Sequence, residues 1–329
     1  LVRTYAGTKD VLTLAKMYEE TINIAWHALS FWWFCKIDGR GPNSVYKNLQ
    51  EHFHTIPYIA KTGKPFEANV PHHFAFRGAD DITFVLSAYL SAKAAKKHGV
   101  RVFVLQMMFN TPKNTWGIQD LAKARAMLRL VRELEDNTFH VILQPRAGLD
   151  YFSPDAEKAK AQLASVTAMM DDIEPENTSS PQIIHVVSYS EALHLAEPRT
   201  VDESIQITIE SLRKYRKMRE KGDVPDMRRN RFVNDRAESL YHDAKFLVEA
   251  IERDLDHPYS PEGFYKIFAA GFLPVPYLWE GREEFAAAVN WKTRLVNGGM
   301  VVVDDSGNPV SLKYRGEISA YNLKKVRLP

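Results

Sequence analysis

Residues 101–135, RVFVLQMMFNTPKNTWGIQDLAKARAMLRLVRELE, decide the fold class of this chain. Residues 101–107 are an apolar run that predicts a strand, and residues 118–135 carry apolar side chains at three- and four-residue steps, which predicts a helix. The same order of strand, polar loop and helix occurs four times. The predicted strands span residues 66–70, 101–107, 138–144 and 182–188, and the helices that follow them span residues 80–97, 118–135, 155–172 and 201–219.

Strands that alternate with helices in this way pair in parallel through right-handed crossovers. The predicted strands are nearly continuous apolar runs, which is typical of strands covered on both faces. Four such units make half of an eight-stranded barrel or the core of an open doubly wound sheet. We therefore expect an α/β fold of the (β/α) TIM-barrel type, with the four units in residues 66–221.

The flanking regions have a different pattern. Residues 1–65 predict a helical segment that completes the barrel or packs on it, with helices over residues 9–34 and 44–60. Residues 222–329 predict a helical and irregular extension with a helix over residues 235–254. Its later part contains an irregular proline-aromatic stretch at residues 271–279 and a hairpin that turns at residues 306–308.

Composition excludes several classes of protein. Hydrophobic residues make up 45% of the chain, and Lys+Arg 43 against Asp+Glu 41 gives a formal charge of +2, so no overall field favours a nucleic acid. The single cysteine, Cys35, forms no bridge within the chain. The most apolar run, residues 22–35, is shorter than the about 20 residues that span a bilayer. We expect a cytoplasmic protein without a membrane or nucleic-acid partner.

Common catalytic and nucleotide-binding motifs are missing from the sequence. It contains no GxxxxGK[ST], GxGxxG, HExxH or GxSxG. Chemistry must therefore be sought where parallel βα folds place their sites, which is at the carboxyl ends of the strands.

Polar side chains are concentrated in the four loops at those strand ends. If the strands lie side by side, these residues converge on one mouth. Each also has a structural interpretation: Arg146 could bridge to a helix end, and Asn110 could cap a turn. In an extended segment His72 and His73 would point to opposite sides, which disfavours a shared metal site. The candidates are His72, His73, Arg77, Asn110, Trp116, Gln144, Arg146, Asp150, Tyr151, His185, Tyr189, Glu191 and His194.

Two segments resemble the barrel of adenosylcobalamin-dependent mutases, especially those of the methylmalonyl-CoA mutase type. Residues 71–80, PHHFAFRGAD, are similar to a strand-end segment in which a histidine precedes Gly-Ala and an acidic helix start. Residues 185–192, HVVSYSEA, are similar to the last barrel strand of that family, and the likeness continues through Leu195, Pro198, Ser204 and Thr208. The loop QPRAGLDYFSPD lies where the family has a polar loop near the cofactor. The resemblance covers about residues 66–212.

The resemblance implies a radical 1,2-rearrangement of an acyl-CoA, an amino acid or a related carboxylate. It implies that this chain holds the second half of the barrel, on the substrate side of the corrin. The Asp-x-His-x-x-Gly signature of the cobalamin-binding domain is missing, since Asp256-His257 is followed by proline. Adenosylcobalamin would then be bound mainly by a partner subunit or domain. Pyridoxal phosphate would join it in an aminomutase.

The resemblance also implies roles for the candidate residues. His73 would donate to the carbonyl or carboxylate of the migrating group, and Arg146 would clamp an anionic part of the substrate. Further contacts to substrate or cofactor would come from His72, Arg77, Asn110, Gln144, His185, Tyr189 and Glu191.

Two other interpretations stay open. An unrelated βα-barrel lyase or aldolase would need a lysine near a strand end, and Lys113 is the candidate in the middle of the chain. A non-catalytic scaffold subunit would fit the proline-aromatic stretch at residues 271–279. Residues 32–34, WWF, are either part of the core or a surface that another chain covers.

Overall fold

Four parallel strands organise the first half of the chain. The computed structural model describes residues 2–4, 7–148, 151–191 and 193–329. Within these ranges β1 (His27–Leu29), β2 (Phe66–Ala68), β3 (Val102–Phe109) and β4 (His140–Ala147) form one parallel sheet in the order β1-β2-β3-β4. The strands follow one another in space as they do in sequence, so the mixed α/β class and the parallel pairing are confirmed. The described residues form an open sheet and not a closed barrel.

Helices follow the strands as the apolar periodicity predicts. The helices predicted over residues 80–97, 118–135, 155–172 and 201–219 are confirmed, with small shifts at their ends. Among the described residues the helices are α1 (Val11–Ile22), α2 (Val45–Thr62), α3 (Pro71–Ala75), α4 (Asp81–Lys97), α5 (Gly117–Arg132), α6 (Ala156–Asp171), α7 (Pro198–Lys221), α8 (Arg231–Asp254), α9 (Pro261–Ala269), α10 (Ala286–Val289) and α11 (Leu312–Leu323). None of them combines the length and the apolar character that crossing a bilayer requires.

The strand predicted over residues 182–188 pairs with β4 over a short stretch. The N–H of Ile183 donates to the Leu143 carbonyl at 3.2 Å, and the N–H of His185 donates to the Pro145 carbonyl at 3.0 Å. A parallel bridge joins Arg146 to His185. This segment therefore takes the fifth position of the sheet, and within the described ranges no strand pairs with its other edge.

The helix predicted over residues 9–34 is wrong beyond Ile22. Asn23 adopts a left-handed conformation (φ 45°) and its N–H bonds to the Tyr18 carbonyl, which ends α1. The three buried residues of β1 follow and pair with β2. A three-residue strand is too short to produce a recognisable alternation, and its apolar residues extend the pattern of the preceding helix.

The core brings together residues from the first and the last third of the chain. Trp32 stacks on Phe264 of α9 with ring centroids 4.5 Å apart and an interplanar angle of 6°. Its Nε1–H donates to the Phe264 carbonyl at 2.9 Å. Trp32 and Trp33 are fully buried, so the interpretation of these two residues as a surface covered by another chain is wrong. Helix α8 packs against α4 and α5, which makes residues 231–254 part of the helical layer.

The C-terminal region contains one more hairpin strand than its sequence suggests. Strands β5 (Lys292–Val296) and β6 (Gly299–Val303) are antiparallel and turn through Asn297 and Gly298, both with positive φ. The turn predicted at residues 306–308 also forms, because the N–H of Asp304 donates to the Asn308 carbonyl at 2.9 Å and Val303 bridges Pro309. Residues 271–279 are irregular, as predicted.

Candidate functional site

One face of the sheet carries polar side chains at its carboxyl end. Side chains alternate between the two faces of a strand, and in-register neighbours share a face. Gln106 of β3 lies opposite Gln144 of β4, and the next level places Met108 beside Arg146 and Arg146 beside His185. Gln106, Gln144 and Arg146 are buried. The sheet thus brings together three of the predicted candidates, Gln144, Arg146 and His185.

A buried carboxylate closes the bottom of this polar face. Glu67 of β2 is fully buried and accepts hydrogen bonds from Trp26 Nε1 at 2.6 Å and Gln106 Nε2 at 3.0 Å. The Arg3 guanidinium forms a two-point ion pair with the same carboxylate. These contacts neutralise Glu67, so its charge is already matched within the protein.

His72 and His73 lie directly above the carboxyl end of β2. The segment predicted as an extended loop is the short helix α3, which begins at Pro71. Because the segment is helical, the two rings do not point to opposite sides: their centroids are 4.2 Å apart. The prediction of opposite orientations is wrong for this reason. No group of three or more His, Cys, Asp or Glu side chains suited to a metal occurs in the described part of the chain.

Several buried polar atoms at this end of the sheet have no hydrogen-bond partner among the described residues. His73 is 3% exposed, and neither of its ring nitrogens is bonded. The side chain of Asn69, one residue past β2, has neither its oxygen nor its nitrogen bonded, and Asn110 Oδ1 is likewise unbonded. Buried polar groups are normally hydrogen-bonded. The unbonded atoms at the strand ends are therefore available to hydrogen-bond a ligand.

Arginines surround these neutral groups. Arg77 donates to the His73 carbonyl at 2.9 Å and stacks over the Trp33 ring at 4.3 Å. Arg40 lies over the Phe34 ring at 4.6 Å. Asp38 lies 3.9 Å from Arg77 and 3.8 Å from Arg40. This carboxylate also accepts the N–H groups of Phe34 and Cys35 at 2.9 Å, so it is divided among four donors.

The histidines are neutral because they are buried among these cations. Burial lowers the pKa of His73 well below its ordinary value, and the charges of Arg40, Arg77 and Arg146 lower it further. Burial, then His73 and Arg146, act in the same direction on the pKa of His72. Burial and then Arg146 lower the pKa of His185 to about 3. The site therefore offers neutral imidazoles beside guanidinium groups.

Tyr189 and Glu191 lie on a different part of the surface from this cluster. The Tyr189 hydroxyl donates to Glu203 of α7 at 2.6 Å, so its polar end is directed at that helix. Glu191 is exposed and lines an open cavity of about 430 Å³ together with Ser188 and His194. The exposed Trp116 packs against the β5–β6 turn. Asp150, also a candidate, lies outside the described residues.

Sequence reasoning missed Asn69, Asp38 and Arg40. Asn69 had a usable signal, since it is a polar residue near the carboxyl end of the strand predicted over residues 66–70. Asp38 and Arg40 follow β1, which was not predicted, so nothing in the sequence placed them at a strand end.

No protein-family model matches the chain, and no curated protein matches it significantly.

Proposed function

We propose that this chain is the substrate-binding part of an enzyme and that it binds a small carboxylate at the carboxyl ends of its parallel strands. One observation carries the proposal: Arg40 and Arg77 share the carboxylate of Asp38 beside the buried His73, and neither ring nitrogen of His73 has a partner among the described residues. Guanidinium groups beside a buried, unbonded imidazole of this kind would bind a negatively charged ligand.

The arrangement suggests how a carboxylate would be held. Arg146 is 3% exposed at the end of β4, and a guanidinium binds a carboxylate through two parallel hydrogen bonds. His73 would donate one ring N–H, because a neutral imidazole has one donor and one acceptor nitrogen. Asn69 and Asn110 would add neutral hydrogen bonds that fix the orientation of the ligand. His185 lies level with Arg146, and Gln144 lies on the same face one level below; both would contact the same molecule.

We infer that the reaction is a radical 1,2-rearrangement and that the sheet is part of a (β/α) barrel. The sequential strand order supports a barrel, since a doubly wound sheet reverses its order at a switch point. The resemblance of residues 71–80 and 185–192 to adenosylcobalamin-dependent mutases supports the reaction class. We also place the enzyme in the cytoplasm, which its single, reduced cysteine supports.

The residues present fit the substrate side of such an enzyme. When bound, adenosylcobalamin would supply the radical. We place it mainly on another domain or chain. The exposed rings of Phe76 and Tyr277 lie beside the same strand-end loops, because Tyr277 donates its N–H to the Arg77 carbonyl. These rings would cover one face of a flat macrocycle. His73 and Arg146 would hold the substrate and exclude water from it.

Pyridoxal phosphate fits less well. Its Schiff base needs a free lysine amine. Lys113 is exposed, and the buried Lys123 forms ion pairs with Asp120 and Asp81 at 3.0 and 3.6 Å. The same facts weigh against a lyase or aldolase that would use Lys113.

Calorimetric titration with succinate tests the carboxylate site. We expect saturable binding by the wild type, no binding of the uncharged succinamide, and a loss of about tenfold or more in affinity for Arg146→Gln, since a charged hydrogen bond contributes about 1.5–3 kcal/mol. Arg129→Gln, which alters an exposed arginine paired with Glu238, serves as the control. Equal binding by wild type and Arg146→Gln would refute the site.

Native mass spectrometry of the protein purified in the dark tests the cobalamin assignment. We expect a second chain together with a mass that matches a corrinoid, and we expect His73→Ala to lose turnover while it keeps its fold. A monomer without ligand would favour the lyase or the scaffold interpretation. Normal turnover of His73→Ala would exclude the role of that histidine.

A further inference from the structure

Asn110 has an unusual backbone conformation for a residue at the carboxyl end of a strand. It follows β3 directly, its φ is 55°, and its side chain is 4% exposed with Oδ1 unbonded. The left-handed region is sparsely populated by residues other than glycine, although asparagine tolerates it best. The surrounding structure must therefore hold this conformation.

A buried ion pair on α5 holds the backbone of this residue and of the residue after it. The Asn110 N–H donates to Asp120 Oδ2 at 2.6 Å, and Lys123 Nζ donates to the Thr111 carbonyl at 3.2 Å. Asp120 and Lys123 lie 3.0 Å apart and are almost completely buried. The Asp120 carboxylate thus accepts the Asn110 N–H, and the Lys123 ammonium donates to the carbonyl of Thr111. Each charge matches the polarity of the group that it bonds.

The same network extends to the C-terminal region. Lys123 also approaches Asp81 of α4 at 3.6 Å, and Arg236 of α8 approaches the other Asp81 oxygen at 3.4 Å. Arg236 donates to Gln119 Oε1 at 3.2 Å, and Gln119 Nε2 donates to the Asn297 carbonyl in the β5–β6 turn at 2.9 Å. Two carboxylates and two cations therefore balance one another between the strand end and residues 231–303.

We propose that the Asp120–Lys123 pair is a positioning device for Asn110, which it holds at the strand end so that an Nδ2–H can donate to the carboxylate of the ligand. We also propose that Arg236 makes this geometry depend on the C-terminal region. The role of Asn110 as a ligand contact rests on the proposed carboxylate site. That the pair holds the Asn110 backbone rests on the contacts of Asp120 and Lys123 alone. Asp120 and Lys123 touch no ligand and act through Asn110.

The titration of Asp120 offers a way to observe its hydrogen bond to the Asn110 amide directly. Burial raises its pKa to about 6, against the lowering effects of Lys123 and the Asn110 N–H. The charged and titratable groups that face it are Lys123 on its own helix, Asp81 on α4, and Tyr151 in the loop after β4. Of these, Asp81 also has a raised pKa, through its burial. Protonation of Asp120 would weaken its hydrogen bond to the Asn110 amide.

The test follows the Asn110 backbone amide by NMR in protein labelled with ¹⁵N-asparagine. In the wild type we expect a downfield amide proton whose shift moves upfield as the pH falls through about 6. In the isosteric variant Asp120→Asn the resonance should lie upfield at all pH values. A pH-independent resonance that is the same in both proteins would overturn the proposal.

A binding measurement distinguishes the positioning of Asn110 by Asp120 and Lys123 from the proposed carboxylate site. We expect Asp120→Asn to bind succinate about tenfold more weakly than the wild type, the loss of roughly one charged hydrogen bond. Asp171→Asn is the matched control, because Asp171 is equally buried and pairs with Arg216 and Arg219 instead. If the wild type binds no succinate, the proposed site fails while the amide titration still decides whether Asp120 holds the Asn110 amide. If Asp120→Asn binds as tightly as the wild type, the positioning role is wrong.

Discussion

The indole ring of Trp116 lies against Gly298 so closely that a Cβ at residue 298 would fall 2.0 Å from the ring. The backbone N–H of Trp116 donates to the Gly298 carbonyl at 2.9 Å. Gly298 also has a φ of 76°. The loop after β3 is therefore fixed to the β5–β6 turn at a point where only glycine fits.

Gly298→Ala should displace Trp116. A left-handed alanine costs about 1 kcal/mol, and the displaced ring adds the loss of its packing, so we expect a decrease of about 2 kcal/mol or more in the free energy of unfolding. The tryptophan emission should shift to the red as the ring becomes more exposed. Urea unfolding and fluorescence spectra measure the two effects.

Gly307→Ala is the control for this experiment. Gly307 also has a positive φ (85°), but its nearest neighbour is the flexible end of Arg294 at 3.2 Å. We expect the backbone cost alone, about 1 kcal/mol, with an unchanged emission spectrum. Equal effects of the two substitutions would show that the Trp116 contact contributes nothing.

Arg315→Met should strongly destabilise the protein. Arg315 of α11 is buried and donates to Asp80 at 2.7 Å, to Thr83 Oγ1 at 2.8 Å and to the Phe272 carbonyl at 3.0 Å. Its removal leaves the Asp80 carboxylate buried without its cation, which costs about 3–5 kcal/mol. The shift in the urea midpoint measures this loss.

The exposed ion pair of Lys292 with Asp305 provides the comparison. Lys292→Met should change the free energy of unfolding by about 1 kcal/mol or less, since solvent screens such pairs. An Arg315→Met variant no less stable than Lys292→Met would mean that water enters and solvates Asp80.

Stability should fall in mild acid, and His52 should account for part of the loss. His52 of α2 is fully buried, its ring nitrogens have no partner among the described residues, and burial lowers its pKa to about 3. The unfolded chain binds a proton near pH 6.5. The stabilisation from the neutral ring is therefore complete above pH 6.5 and disappears as the pH falls toward 3. Between pH 7 and pH 5 His52 should contribute a loss of about 2 kcal/mol.

His52→Leu tests this contribution. When the pH falls from 7 to 5, the free energy of unfolding of this variant should decrease by about 2 kcal/mol less than that of the wild type. Urea unfolding at the two pH values measures the difference. His54→Leu changes an exposed histidine on the same helix and controls for the substitution itself. An identical pH dependence in the wild type and in His52→Leu would mean that His52 is already accessible to protons in the folded state.

The repeating units were predictable because local and long-range preferences agree there. The helix predicted over residues 155–172 forms as α6, which begins at Ala156 with Asp155 accepting the Lys158 N–H. The apolar run of β3 likewise predicted its strand. Strand β1 was not predictable, since its three residues become a strand through pairing with β2. In such short elements tertiary contacts override local pattern.

The site was predictable only in part, for a related reason. Gln144, Arg146 and His185 could be found because a parallel sheet aligns its strand ends. The close approach of the His72 and His73 rings was missed because Pro71 starts a helix where an extended loop was expected. Arg40 and Asp38 were missed because they lie in the segment after β1, whose sequence has no helical or strand periodicity.

The stack of Trp32 on Phe264 has a consequence for how the protein is made. The two rings are separated by 232 residues of chain, and they meet at the centre of the core. A ribosome releases the chain from its N-terminus, at roughly 5–20 residues per second. Trp32 and its apolar neighbours therefore wait for many seconds before α9 emerges to cover them. Until the second half of the chain has been translated, this aromatic segment exposes apolar surface of the kind that promotes aggregation.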